Sequence, residues 1–220
     1  MSPRSLPLPL LESRQAAVAK LAFVAQRPGG VAALCGPTGT GTSTVLARLA
    51  ADATLAPRSC GLRPLREWHH AAESRLPDIV LADDCHAGDA DAISALFARC
   101  RSQTPAASLV LAGRGRLLTL ISRAGDVEQA ILLRAVLRPF TFAETRCILD
   151  ATLFASHGCG LDETHREGLA RTIHEIAAGM PAAVSRLAEL ATVVAADRPD
   201  RGLSAADIEA IHRRLGVRAA

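Results

Sequence analysis

Gly36-Pro37-Thr38-Gly39-Thr40-Gly41-Thr42-Ser43 is the stretch of this chain whose chemistry is most legible from residue types and spacing. Its three glycines let the backbone curl so that several N–H groups converge on one point. A helix starting at the end of the stretch aims its positive N-terminal end at the same point, and together these make a cradle for phosphate. The spacing follows G-x-x-x-x-G-K-[ST] at every position but one, because the lysine is Thr42. Ser43 offers the hydroxyl that would hold Mg2+, and Thr44 stands next to it in the helix. The binding set is therefore Gly36, Pro37, Thr38, Gly39, Thr40, Gly41, Thr42, Ser43 and Thr44, and the ligand it fits is ATP or ADP with Mg2+. Thr42 does not reach the β- and γ-phosphates. The lost charge-assisted hydrogen bond is worth about 1.5–3 kcal/mol, or roughly ten- to a hundred-fold in affinity. The remaining affinity is expected to be weak or vestigial. Lys20 is the only lysine in the chain, and it precedes the first strand.

The second chemical feature is Asp78-Ile79-Val80-Leu81-Ala82-Asp83-Asp84-Cys85-His86. An apolar run ending in two acids places carboxylates at the C-terminal end of a strand, the edge where ligands gather in parallel sheets. Asp83 is expected at a strand end adjacent to the glycine loop, holding Mg2+ through water, with Asp84 positioning the attacking water. Aspartate is one methylene shorter than the usual glutamate, so the Asp84 carboxylate falls short by about 1 Å, which costs rate steeply. The plain alternatives are a glycine loop that only turns the chain and two solvated acids at a strand end.

The elements that must position these residues follow from periodicity. Residues 11–26 read as an amphipathic helix and 31–35 as a buried strand. A helix follows over about 42–55. Residues 79–82 and 108–112 are two further strand candidates, with a helix over about 89–101. Alternating strands and helices imply an α/β domain with a parallel sheet covered on both faces. Residues 58–77 show no clear apolar run, so the edge strand expected there is reduced or missing. After Pro139 the pattern is helical throughout. Thr141 and Glu144 form a capping box for a helix to about 157, and further helices span about 162–178 and begin at 181. Ser204 caps a last one. The expected organisation is an α/β core over residues 1–138 and a helical lid over 139–220.

Composition sets outer limits. The 220 residues are 49% hydrophobic and 21% charged, which suits a packed core. A net charge of +3 does not by itself call for nucleic acid. No apolar run reaches the roughly 18 residues of a membrane helix. Pro7 and Pro9 interrupt the apolar start, so no leader peptide is expected. The six cysteines form no CxxC pair and read as reduced, mostly buried thiols of a cytoplasmic protein. Cys60, His69, His70, Cys85 and His86 fit no familiar zinc spacing.

With these motifs in place, the chain resembles the AAA+ ATPases of the A-type general secretion pathway group, which are akin to transposition helper ATPases. That group's P-loop reads G-x-x-G-x-G-K-[ST], and GPTGTGTS follows it apart from Thr42. Its Walker B motif D-E-A-[QH] is matched by Asp83-Asp84-Cys85-His86. Its sensor strand V-x-x-G-Q-P-x-L is similar to the run from Leu109 to Leu117. Its Q-R-I-x-x-R-x-x-L-x-P-[LF] segment is similar to Gln129-Ala130-Ile131 through Arg134, Leu137, Pro139 and Phe140. Its lid motif G-G-x-P-R-x-[IV]-N-R-L is met in outline from Gly179 to Leu187. The resemblance covers nearly the whole chain.

The departures share a direction. The resemblance implies phosphate-contacting or transition-state groups where this chain has Thr42, Asp84, Ala130 and Ala182. The sequence thus reads as a degenerate AAA+-like nucleotide-binding module with weak or absent hydrolysis. The resemblance suggests a protein partner, such as a full-length AAA+ homologue in a homo- or hetero-oligomer, and a setting in secretion, envelope or pilus assembly. Two other readings stay open. One is a working ATPase in which Arg114 or Arg134 replaces the lysine. The other is a DNA-associated helper whose Arg213, Arg214 and Arg218 meet phosphates, nucleic acid being the less favoured partner.

Overall fold

The computed structural model describes residues 11–70, 75–155, 162–197 and 202–217. Contacts divide them into two units, Glu12–Arg138 and the chain from Pro139 onward joined by Leu11.

The first unit opens with helix α1 (Glu12–Ala25), strand β1 (Val31–Cys35) and helix α2 (Thr42–Ala50). Strand β2 (Cys60–Pro64), helix α3 (Leu65–His70), strand β3 (Ile79–Asp83) and helix α4 (Ala90–Arg101) follow. Strand β4 (Ser108–Gly113), helices α5 (Arg116–Arg123) and α6 (Gly125–Ala130) and strand β5 (Ile131–Val136) complete it. The five strands form one parallel sheet in the order β2-β3-β4-β1-β5. Every residue of β1 and β4 is buried, as continuous apolar runs in a two-sided sheet require. Val31, Ala33, Val80, Leu109 and Leu111 join a core with Ile93 and Leu96 of α4 and Leu117 and Ile121 of α5. Their alternating neighbours, such as Leu34, Leu81 and Val110, are equally buried, and α1 and α2 pack against those strands.

Three elements differ from the expectations. Helix α2 stops at Ala50, because the Asp52 carboxylate accepts from Thr54 N–H at 2.9 Å and starts a separate single turn over Ala53–Leu55. The edge strand is present as β2, although CGLRP has no apolar run. Its partners explain why. Arg58 donates to the carbonyls of Ala25 and Asp78 and to Ser108 Oγ, and the Asp78 carboxylate accepts from both the N–H and the hydroxyl of Ser59. Trp68, fully buried, donates its indole N–H to Leu81 O at 3.1 Å and packs so tightly on Gly61 that a Cβ there would lie 2.8 Å from its ring. One tryptophan covers the strand that its own side chains do not. The third difference is β5, an edge strand with exposed Leu132, Arg134 and Val136 on one face.

The second unit is helical. Helix α7 (Phe142–Leu149) carries the capping box, with Thr141 and Glu144 each accepting from the other's backbone N–H. Instead of running to 157 as an α-helix, the chain widens into π-type turns over Asp150–Phe154, and residues 156–161 lie outside those described. Helix α8 (Glu163–Ala177) is capped by Asp162 and closes with Ala178 and Gly179 in left-handed backbone. Glycine is required at 179, since a Cβ would sit 2.4 Å from Phe140 O. Helix α9 (Pro181–Asp197) and helix α10 (Ala205–Val217) complete the unit, the latter capped by Ser204 with Asp207 in return. Leu149, Leu153, Ile173, Val184, Leu187 and Ile208 are among its core, and Leu11 packs there too.

Candidate functional site

The loop from Gly36 to Gly41 leaves the C-terminal end of β1 and enters α2. Thr40 closes it as a tight turn, its N–H and its hydroxyl both donating to Pro37 O, at 3.2 and 2.8 Å. Thr40 is buried and supports the loop from inside, so its donors do not face a ligand. Gly39 and Gly41 have φ of 82° and 89°, left-handed values that side chains disfavour. No side chain caps α2, and among the described residues nothing accepts from the N–H groups of Gly39, Gly41, Thr42, Ser43 or Thr44. Unspent donors at a helix start are of the kind that favours an anion. Thr42 is half-buried and Ser43 and Thr44 are exposed, and no ammonium stands where the motif puts one.

Gly36 carries the tightest constraint. Its N–H donates to Gly113 O, and a Cβ would lie 2.3 Å from Thr40 Oγ1 and 3.2 Å from Leu137 Cβ. Gly36→Ala is expected to destabilise the protein by about 1–3 kcal/mol, because the loop must move off its turn. Gly115→Ala, where an added Cβ meets nothing within 4 Å, is the control. Denaturant unfolding of both variants checks the difference, and equal midpoints would contradict this packing.

Asp83 ends β3, partly buried, with its Oδ1 accepting from Asp84 N–H at 2.8 Å. The expectation that Asp83 and the loop stand on adjacent strands needs correction, because β4 lies between β1 and β3. Gly113, at the end of β4, pairs with Cys35 and bridges the gap. A side chain would be crowded there, since a Cβ would approach His86 N to 3.0 Å. The three strand ends of β1, β4 and β3 thus share one edge. Exposed Asp84 has φ 51°, a left-handed value that aspartate tolerates better than glutamate. The backbone itself therefore favours the shorter acid at this position. Beyond Asp84 lies a cavity of about 780 Å3 lined by Pro64, Leu65, Gly88, Asp89 and Asp91 among others.

The oxygen donors Ser43 and Asp83 are of the kind that Mg2+ takes. Among the described residues no group of three or more His, Cys, Asp or Glu is placed to hold a metal. Burial raises the thiols of Cys35 and Cys85 above their ordinary range, so neither is a thiolate near neutral pH.

The strand order, the glycine loop after β1 and the acid after β3 can now be set beside solved structures. Domain III of the Thermotoga maritima replication initiation protein DnaA superimposes with a TM-score of 0.64 at 13% identity, over 90% of this chain and 91% of that one. The fold is the AAA+ P-loop fold. Two Aeropyrum pernix proteins share it. ORC2, solved as ADPNP and ADP complexes, gives a TM-score of 0.63 at 15% identity over 96% of this chain and 70% of that one. ORC1, solved in complex with DNA, gives 0.65 at 20% over 95% and 67%. No family model and no curated protein matches the chain. At these identities the AAA+ likeness is one of fold alone.

Within this AAA+ fold the arginines singled out as substitutes for lysine are placed as follows. Arg134, on the open face of β5, pairs with Glu128 at 3.0 Å. Arg114 is exposed just after β4. Ala130 ends α6 and packs partly against the core, and Ala182 is exposed on α9. Sequence reasoning missed Arg14, a buried arginine of α1 whose guanidinium donates to Thr40 O inside the loop. An arginine at a position of the first helix that otherwise reads as a buried stripe was the available signal.

Proposed function

We propose that this chain is a nucleotide-binding AAA+-type module that holds ATP or ADP with Mg2+ weakly, hydrolyses it poorly or not at all, and acts through a protein partner. The observation that carries the reading is the set of unspent N–H groups of Gly39, Gly41, Thr42, Ser43 and Thr44 leading into α2, in a loop without its lysine. Gly36 to Thr44 form the phosphate cradle, with Ser43 and Asp83 on the Mg2+ side. Asp84 stands in the water-positioning place, one methylene shorter than glutamate, on a left-handed backbone that suits the shorter acid. Nucleotide complexes of ORC2, on the same fold, support the ligand class. The resemblance to the secretion-pathway group supports a partner-dependent role in secretion, envelope or pilus assembly. The open face of β5, with Leu132 60% and Val136 62% exposed, supports a partner as well. Among the described residues no helix is long and apolar enough to cross a membrane.

Isothermal titration with Mg-ATP tests the binding half. A micromolar P-loop site less one charged contact predicts a Kd of about 10–100 μM. A nanomolar Kd, or no heat at millimolar nucleotide, would contradict it.

A further inference from the structure

Arg14 lies on α1 and is only 7% exposed. Its Nη2 donates to Thr40 O at 3.2 Å and to Arg138 O at 2.8 Å, and its Nη1 donates to Ser13 Oγ at 2.9 Å. A guanidinium stays charged at any pH the fold survives, and burying it is costly unless its donors are met. The structure meets them with two backbone carbonyls from distant parts of the chain, one of them inside the phosphate loop. The Thr40 carbonyl belongs to the same peptide plane as the N–H of Gly41. A cationic donor on the oxygen of an amide draws electron density through the plane and makes its N–H a stronger donor on the other side. Gly41 N–H is among the unspent donors, next to those of Thr42 and Ser43.

We propose that Arg14 is the resident cation of the phosphate loop, supplying from behind, through the Thr40–Gly41 peptide, part of the positive potential that Thr42 does not supply from the front. The proposal rests on the nucleotide-binding reading above. Arg14 is a positioning residue in this role and touches no phosphate. A rear charge acts on the phosphates cradled by the loop's N–H groups and does not replace the motif lysine's contact to the γ-phosphate. ADP is therefore the appropriate probe. The contact to Arg138 O holds the guanidinium in place, so charge and loop geometry are fixed together.

The test compares the full-length wild type with Arg14→Gln, which keeps hydrogen-bonding length without charge, and Arg14→Lys, which keeps charge. Titration with Mg-ADP is expected to show about a ten-fold weaker Kd for Arg14→Gln, the size of a screened charge acting across one peptide plane, and under three-fold for Arg14→Lys. In ligand-free 15N–1H spectra the Gly41 amide proton is expected downfield in wild type and Arg14→Lys, and shifted upfield in Arg14→Gln. A purely structural arginine would not be rescued by lysine in both readouts. If Arg14→Gln does not fold, the wild-type spectrum still decides: a Gly41 amide proton at its random-coil position overturns the proposal. Equal ADP affinity in wild type and Arg14→Gln overturns it while leaving nucleotide binding intact. No ADP binding by wild type overturns the nucleotide reading and this proposal together.

Discussion

Adding Arg at 130 and 182 and Glu at 84 to a Thr42→Lys background is expected to raise ATP turnover from background to a measurable rate, a gain of at least about a thousand-fold. Phosphoryl transfer depends on positioning and on stabilising charge, so missing groups compound rather than average. The structure adds conditions to each change. Glu at 84 must adopt φ near 51°, a left-handed value that glutamate enters less readily than aspartate, so some stability is lost. Ala130 packs partly against the core at the end of α6, so an arginine there must turn outward to act. The check is steady-state phosphate release from the quadruple variant beside wild type, with melting curves confirming the fold. A folded quadruple variant that binds Mg-ATP tightly and still does not turn over would show that something other than these four residues limits hydrolysis.

Thr42→Lys alone is expected to tighten Mg-ATP binding about ten- to a hundred-fold, the value of one restored charge-assisted contact. Thr42 is the first residue of α2, half-buried, and among the described residues its side chain makes no hydrogen bond that a lysine would break. Lysine is also the better helix former. Turnover should scarcely change, because tighter binding of the ground state does not lower the chemical barrier. Calorimetry on the variant reads the affinity and a phosphate assay reads the rate. An unchanged Kd would mean that the loop already has its full counter-charge.

Much of this was legible in the sequence, and for physical reasons. Strands β1, β3 and β4 are buried on both faces, so they announce themselves as apolar runs, and the glycine loop and the Asp83-Asp84 pair take their places from the ends of those strands. The capping box at Thr141 and Glu144 is local chemistry and appears where the residues are. What was not legible depends on distant partners. Strand β2 is held by Arg58, Ser59, Asp78 and Trp68, none of which gives its own five residues an apolar pattern. Strand β5 lies on an open edge with one solvated face, so its pattern is mixed and carries no clear strand signature. The placing of β4 between loop and acid is a matter of strand order, which no local pattern encodes. Arg14 was hidden because its role depends on meeting Thr40 and Arg138, 26 and 124 residues away. The left-handed backbone at Asp84 gave no local sign either, and it converts an apparent loss into a fit between residue and turn.

On the proposed reading this chain holds ATP and hydrolyses it poorly or not at all. A single-turnover assay tests it most directly, with protein in excess at a few hundred micromolar over γ-labelled Mg-ATP, and Asp83→Ala as the blank. Nucleotide is expected to stay on the protein and be recovered intact as ATP, with phosphate release no faster than in Asp83→Ala. Release of labelled phosphate by wild type that disappears in Asp83→Ala would contradict it and make the chain a working ATPase.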